Sequence, residues 1–148
     1  MGTINSTRLD GELLYQIISQ RPDYSFVFTG PEDDIFRRDR IHSLKNAYFT
    51  GQKKVDELPA YIAAYDVCIN PQMVNEITDG NYPLKIDEYL AMGKPTVATS
   101  THTMRNIFAG HTHLAINPEE WLAAIDRAVT EAADEEDSVD LGGRRIIK

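Results

Sequence analysis

The stretch NEITDGNYPLKIDEYLAMGKPTVATS, residues 75–100, decides how this chain folds. It begins with a polar run at residues 78–82 that predicts a loop. Pro83 then opens a helix predicted over residues 84–92, because proline suits the first turn, where its missing N–H is not needed. Gly93 and Pro95 end that helix. The run TVAT at residues 96–99 predicts a buried strand, since β-branched residues are favoured in strands.

The start of the predicted helix has the features of an anion site. The first turn of a helix carries unpaired N–H groups and the positive end of the dipole, which suit a phosphate group. Lys85 adds an ammonium group there, and Glu88, three residues on, lies on the same face. We therefore predict that Lys85 contacts phosphate and that Glu88 accepts hydrogen bonds from sugar hydroxyls. A solvated lysine and an ordinary surface glutamate are the alternatives.

Strands and helices alternate along the chain. Residues 25–29, 47–50, 66–70 and 96–99 are predicted as strands with helical patterns between them, and residues 113–116 as an edge strand. Such alternation predicts an α/β fold with a parallel, doubly wound sheet that is covered on both faces. Ligands of such folds bind at the carboxyl ends of the strands. Gly30, Gly51 and the run at residues 78–82 all follow predicted strands and should meet at that edge.

Five blocks of the sequence, in this order, carry a family resemblance. They are GTINSTRLDGELL, PDYSFVFTGP, NAYFTGQK, ELPAYIAAYDVCINP and the run from NEIT through PLKIDEYLAMGKPTVAT. Together they resemble the C-terminal, donor-binding half of GT-B fold glycosyltransferases, and they are most similar to bacterial enzymes that build polysaccharides from nucleotide sugars. The resemblance implies a Rossmann-like domain that binds a nucleotide-diphosphate sugar.

The resemblance also implies which residues form the site. Lys85 and Glu88 would be the catalytic residues, and the transfer would need neither a metal ion nor a separate cofactor. The donor would contact both of them and the following further residues: Arg8, Gly51, Asn75, Thr78, Asp79, Gly80, Asn81, Tyr82, Pro83 and Leu84. Capping of a turn is the alternative for Asn75 and Thr78. A turn glycine is the alternative for Gly51, and a surface arginine at a helix start for Arg8.

One position departs from the family pattern. Many retaining relatives carry two glutamates separated by seven residues, and the second corresponds to Glu88. The first would fall on Gly80, with Asp79 beside it. Either Asp79 substitutes for that glutamate, or the backbone of residues 80–82 takes its role. The resemblance therefore leaves open whether transfer retains or inverts the anomeric configuration.

The order of the predicted elements and the family resemblance together predict the domain organisation. Residues 1–130 are predicted to form the donor-binding domain, and residues 131–148 an acidic linker followed by a truncated C-terminal helix. A doubly wound domain should begin with a strand, and here a loop comes first, so the first strand is predicted to be missing. The resemblance implies an N-terminal half that holds a saccharide or lipid-linked acceptor. Without that half, the chain is expected to be an inactive fragment.

The composition limits which kinds of binding partner and which cellular compartment we expect. The net charge of −8, without a basic block, argues against nucleic acid and anionic membranes as main partners. Cys68 is the single cysteine and is predicted to be a core residue, which fits a reducing cytosol. No apolar run approaches the roughly 18 residues of a spanning helix. We expect a cytoplasmic protein, which in a full-length enzyme could sit at the inner face of the membrane.

Two other functions share this type of fold. A nucleotide-sugar 2-epimerase has the same architecture, but the pattern NEIT followed by PLK favours the transferase. A non-catalytic binding module of flavodoxin-like topology would be indicated by an acidic pocket after the first strand, and the sequence shows none.

Overall fold

The computed structural model describes Ile4, residues 8–135 and the backbone of residues 144–147. Its helices are α1 (Gly11–Gln20), α2 (Asp34–Arg37), α3 (Leu58–Ala64), α4 (Glu76–Gly80), α5 (Leu84–Ala91) and α6 (Pro118–Glu135). Its strands are β1 (Tyr24–Thr29), β2 (Ala47–Gly51), β3 (Val67–Asn70), β4 (Thr96–Thr99), β5 (His113–Ala115) and β6 (Arg144–Ile147). Short 3-10 helices at Arg40–Ser43 and Val55–Glu57 and a π-helix at Met104–Phe108 lie in the connections.

The strands form one parallel sheet in the order β2-β1-β6-β3-β4-β5. The predicted parallel α/β sheet is therefore confirmed, as is the edge position of the strand that begins at His113. Strands β3 and β4 are buried along their whole length, which is typical of a parallel sheet covered by helices on both faces.

Two hydrophobic cores cover the two faces of the sheet. Alternating residues of β1 and β3 belong to different cores, because successive side chains of a strand point to opposite faces. The first core is built by α1, α2 and α6, and the second by α3, α5 and the π-helix. Their largest fully buried members are Trp121, Phe26, Phe28 and Phe36 in the first core and Tyr89 in the second.

The direction of each connection depends on the face that it crosses. The connections toward β2, through α2 and through α6, lie over the first core, whereas those toward β5, through α3, α5 and the π-helix, lie over the second. Because the connections over one face of the sheet run opposite to those over the other face, all of these crossovers have the same hand. The steric rule for parallel strands requires this.

Local signals in the sequence set several helix ends. The Asp10 side chain accepts a hydrogen bond from the backbone N–H of Leu13 (3.1 Å) and caps α1. Gly93 has φ +71°, a conformation that favours glycine, and it follows the end of α5. Cys68 is fully buried, and burial raises the pKa of its thiol to about 12, so it is a protonated core residue at neutral pH.

Residues 78–80 are helical, where the sequence predicted a loop. They belong to α4, which begins after Asn75. The prediction was wrong because Asn75 and Thr78 satisfy the first N–H groups of a short helix, as described below, and such local side-chain bonds stabilise a helical turn that polar composition alone does not indicate.

The C-terminal part of the chain also differs from the prediction. Residues 131–135 continue α6 rather than beginning a linker, and residues 144–147 form β6 in the middle of the sheet rather than the start of a helix. Strand β6 pairs with β1 on the side opposite β2. Where the donor-binding domain ends stays a prediction, because most of the predicted acidic linker, residues 136–143, lies outside the described residues. Among the residues that the structure describes, no helix is long and apolar enough to cross a membrane.

Candidate functional site

The amino end of α5 lies at the carboxyl edge of the sheet and offers an open helix start. Pro83 occupies the N-cap position with extended backbone (φ −84°, ψ 92°), and its side chain makes no capping hydrogen bond. The Ile86 N–H of this turn donates to the Pro83 carbonyl (3.0 Å), so the anion site predicted here depends on the N–H groups at the very start of the helix. Lys85, half-buried, stands in this turn, and Leu84 beside it is 71% exposed. The predicted location of Lys85 at a helix N-terminus is confirmed, while its contact with phosphate stays a prediction.

A cavity of about 330 Å³ opens between α3 and α5. Its wall is apolar except for the exposed Glu88, which lies one turn beyond Lys85. Seven residues line it: Val55, Leu58, Pro59, Ile62, Glu88, Ala91 and Met92. Concave apolar surfaces with a few polar groups are typical of small-molecule sites. Glu88 is thus placed where a ligand that fills the cavity would meet a carboxylate.

Asn75 and Thr78 cap α4 reciprocally. The Thr78 backbone N–H donates to Asn75 Oδ1, and the Asn75 N–H donates to Thr78 Oγ1, both at 3.0 Å. The Thr78 hydroxyl also donates to the carbonyl of Met73, and Thr78 is fully buried. The capping role that was an alternative for both residues is therefore observed. A buried hydroxyl already engaged in these bonds is poorly placed for a ligand.

Asp79 joins α4 to the segment that follows β4. Its carboxylate accepts a hydrogen bond from the His102 backbone N–H (2.7 Å), and its carbonyl accepts one from the Thr103 hydroxyl (3.2 Å). The carboxylate therefore stands at the start of the helical stretch that leads into the π-helix, where a negative charge is favoured by the helix dipole. Gly80, next to it, is exposed, and a side chain added there would meet nothing within 4 Å.

Tyr82 lies just before α5, and two contacts fix its side chain there. Its hydroxyl donates to Asp87 Oδ2 (2.8 Å), and its ring packs against Phe108 with the centroids 5.6 Å apart. The hydrogen bond to Asp87 raises the pKa of the Tyr82 hydroxyl. Asn81, beside it, is exposed, and its N–H donates to the Thr78 carbonyl (3.4 Å). Residues 81–83 thus form the short connection between α4 and α5.

The other two predicted site residues also lie at the carboxyl edge. The carbonyl of Arg8 accepts a hydrogen bond from the Met73 N–H (2.7 Å), so Arg8 lies beside the segment that follows β3. Gly51 ends β2 with φ +77°, which favours glycine, and its carbonyl accepts from the Gly30 N–H (3.1 Å). Arg8 and Gly51 are both exposed. All the predicted site residues therefore lie on segments at one edge of the sheet.

The apolar wall of the cavity was missed by the sequence analysis. Leu58 and Ile62 have the spacing of an ordinary buried helix face, and nothing in the sequence distinguishes a face that is partly left open as a cavity. Among the described residues, no group of three His, Cys, Asp or Glu side chains is arranged to hold a metal ion.

Residues 12–132 match the family model of the glycosyl transferases group 1. The chain belongs to this family of glycosyltransferases. Its parallel α/β sheet is consistent with a Rossmann-like half of such an enzyme. The family membership favours a transferase over the flavodoxin-like module and the epimerase-like domain, the two alternatives left by the sequence.

A curated relative shows similarity over most of the chain. It is named "Putative teichuronic acid biosynthesis glycosyltransferase TuaH", from Bacillus subtilis (strain 168), and is 28% identical over 134 residues. The alignment covers 86% of this chain but 34% of the relative. The chain therefore spans about a third of the relative's length.

Proposed function

We propose that the chain is the donor-binding part of a glycosyltransferase and binds a nucleotide-diphosphate sugar at the carboxyl edge of its sheet. The observation that carries the proposal is the position of the open start of α5 next to the cavity between α3 and α5. Lys85 at the helix start suits a diphosphate, and Glu88 at the cavity suits the hydroxyls of a ribose.

The apolar wall of the cavity then accommodates the nucleobase. Leu58, Ile62 and Met92 offer surface on which a planar ring packs. Because this wall contains no polar side chain other than Glu88, selection between bases falls to backbone groups.

The chemistry assigned to these residues is stabilisation of the leaving nucleoside diphosphate. As the bond to the sugar breaks, negative charge grows on the diphosphate, and the Lys85 ammonium and the first-turn N–H groups of α5 are fixed in place to meet it. Such preorganised donors need no metal ion. We therefore propose a metal-independent transfer in which Lys85 and Glu88 act on the donor.

The hydrogen bond of Asp79 bears on the departure from the family pattern. Its carboxylate is engaged with the His102 N–H, so it is a poor substitute for the glutamate that many retaining relatives carry. The backbone of residues 80–82 is the better candidate for contacts to the sugar, because this segment leads directly into the first turn of α5.

The acceptor and the pathway belong to the wider proposal. We propose a saccharide or lipid-linked acceptor, held by an N-terminal domain, in bacterial polysaccharide biosynthesis on the cytoplasmic side of the membrane. The printed name of the Bacillus subtilis relative supports that class of pathway. By themselves, the 148 residues are expected to bind a donor without transferring its sugar at a useful rate.

Calorimetric titration of the chain with UDP, GDP, ADP and TDP tests the proposal. We expect saturable binding of at least one nucleoside diphosphate, and binding of the matching nucleoside weaker by about tenfold or more, because the nucleoside lacks the charged group that α5 meets. Absence of binding by all four diphosphates, or equal binding of nucleoside and diphosphate, would refute it.

A further inference from the structure

Asp87 is an exposed carboxylate in the first turn of α5, the helix start proposed to bind a diphosphate. A negative charge there is favoured by the helix dipole, but it would repel the phosphate groups of a ligand. Successive residues of an α-helix lie about 100° apart around its axis, so Asp87 points about 200° away from Lys85. Phosphate binding therefore does not account for Asp87, whose carboxylate has another partner.

That partner is Tyr82, in the connection that leads into the helix. The Tyr82 hydroxyl donates to Asp87 Oδ2 at 2.8 Å. Because Pro83 is the N-cap of α5, Tyr82 is the residue before the cap and Asp87 is the fourth residue of the helix. Side-chain contacts between these two positions fix the angle at which a chain enters a helix, and an apolar pair is their common form. Here the contact is a hydrogen bond to a carboxylate, which is stronger than a bond between neutral groups.

The segment that follows β4 supports the same connection. The Tyr82 ring packs against Phe108, with the ring centroids 5.6 Å apart. Just upstream, the Asp79 carboxylate accepts a hydrogen bond from the His102 N–H at 2.7 Å. Residues 79–82 are thus attached to this segment at both ends, and Asp87 adds an attachment to α5.

The residues between these attachments are open to a ligand. Gly80 and Asn81 are both exposed. A Cβ atom added at Gly80 would meet nothing within 4 Å, so a ligand can approach the backbone there closely. The backbone groups of these residues bind a ligand well only if the connection is already held in one conformation, because ordering a mobile segment on binding weakens the affinity.

We propose that Asp87 is a positioning residue of the donor site: its hydrogen bond to Tyr82 holds the connection so that the backbone of Gly80 and Asn81 meets the sugar of the donor. This inference rests on the proposed function. Asp87 touches neither the sugar nor the diphosphate in this arrangement and acts through Tyr82. Loss of its carboxylate should therefore weaken binding of a nucleotide sugar and leave binding of the nucleoside diphosphate, which meets Lys85 and the cavity, unchanged.

Calorimetric titration of the full chain and of three variants tests this role. Asp87→Ala removes the acceptor, and Asp87→Asn, its matched control, removes the charge but keeps an acceptor oxygen. Tyr82→Phe removes the hydroxyl but keeps the ring that packs against Phe108. The probes are UDP and UDP-glucose, or whichever of GDP, ADP and TDP binds better together with its glucose ester.

We expect Asp87→Ala and Tyr82→Phe to weaken binding of the glucose ester by about fivefold or more. Asp87→Asn should bind the ester within about twofold of wild type, and all three variants should bind the diphosphate within about twofold of wild type. The double variant Asp87→Ala with Tyr82→Phe should lose no more than either single variant, because both changes remove the same hydrogen bond. If Asp87→Ala does not fold, Tyr82→Phe decides.

Several results would overturn the positioning role. They are a wild-type affinity for the ester in Asp87→Ala, additive losses in the double variant, and binding of the diphosphate but not of the ester by wild type. Equal losses in Asp87→Ala and Asp87→Asn would assign the effect to the charge, and equal losses of ester and diphosphate to a general disturbance of the helix start; either would overturn it as well. A wild-type chain that binds neither probe would instead refute the donor site itself, and this inference with it.

Discussion

Lys85 is the residue on which the proposed site depends most. Lys85→Ala removes the ammonium group but preserves α5, because alanine is a good helix former. Loss of one charge-assisted contact should weaken nucleoside diphosphate binding by about ten- to a hundredfold, roughly 1.5–3 kcal/mol. Lys45→Ala, an exposed lysine before β2, is the matched control and should bind like wild type. Calorimetry with melting curves checks both; equal affinity for wild type and Lys85→Ala would make Lys85 a surface lysine.

Asp79 should contribute to stability through its hydrogen bond to the His102 N–H. Asp79→Ala removes the acceptor and should lower the free energy of unfolding by about 0.5–2 kcal/mol, the usual range for a lost helix cap. Asp79→Asn keeps an acceptor oxygen at the same place and should lose less. Urea denaturation of the two variants measures the difference. Equal losses would mean that the hydrogen bond does not account for the role of Asp79.

At the residue scale, what the sequence could predict depended on how far apart the interacting groups lie along the chain. Lys85 and Glu88 are three residues apart, so helical geometry alone places them on one side of α5. The cap at Asp10 is equally local. Asp79 and His102 are 23 residues apart, and no local pattern links them. The sequence therefore left the role of the Asp79 carboxylate open, and only the packing of α4 against the segment after β4 shows it.

At the scale of helices and strands, an ion pair joins α6 to the residues that immediately precede β1. Arg21 donates to both carboxylate oxygens of Asp126 at 2.9 and 2.7 Å, and the Tyr24 hydroxyl donates to the same carboxylate at 2.9 Å. The hydrogen bond from Arg21 lowers the pKa of Asp126. A carboxylate whose pKa is lower in the folded than in the unfolded protein stabilises the fold above the unfolded-state pKa of about 3.9. That stabilisation is lost as the pH falls through the folded-state pKa.

Asp126→Asn should therefore be destabilising in a pH-dependent way. Both partners are partly exposed, so the loss at pH ~7 should be about 0.5–1 kcal/mol. The difference from wild type should shrink as the pH falls below the unfolded pKa of an aspartate, about 3.9. Denaturation curves across that range measure it, with exposed Asp23→Asn as the control for the change in charge. A difference that stays constant with pH would exclude the ion pair as its cause.

The cavity between α3 and α5 gives a prediction about shape. Ala91 lines it and is exposed, so Ala91→Phe should fill the space without disturbing a buried core. We expect nucleoside diphosphate affinity to fall by about tenfold or more and the melting temperature to stay close to that of wild type. Ala123→Phe, at an exposed position of α6, is the matched control. Unchanged affinity in Ala91→Phe would place the nucleobase elsewhere.

The helices and strands were predicted best where the hydrophobic periodicity is clear and glycine or proline marks the ends of the element. Strands β1 to β4 follow from short apolar or β-branched runs next to glycine or proline, and α5 from the helical pattern between Pro83 and Gly93. β6 could not be predicted in this way. Its pairing partners Phe26 and Val67 are far away in the sequence, and a tetrapeptide of two arginines and two isoleucines has no period that distinguishes a strand from a helix start.

The molecule as a whole combines a parallel sheet, a helix start at the carboxyl edge of that sheet and membership in a glycosyltransferase family. The fold was predictable because alternation of strands and helices and the single crossover hand leave few arrangements. The cavity was not, since its depth depends on how closely α3 approaches α5. We propose that its apolar wall and its one carboxylate, together with the helix start of α5, hold the nucleotide.

The central claim is that this edge of the sheet binds a nucleoside diphosphate, and amide chemical-shift mapping tests it most directly. The labelled chain is titrated with the diphosphate that binds best by calorimetry, and each backbone amide is followed. We predict that the largest shifts fall on Gly51, Val55, residues 80–82, Lys85 and Glu88, with little change in β5 and α6. Saturable shifts concentrated at the opposite edge of the sheet, near Arg21 and Asp126, would contradict the account.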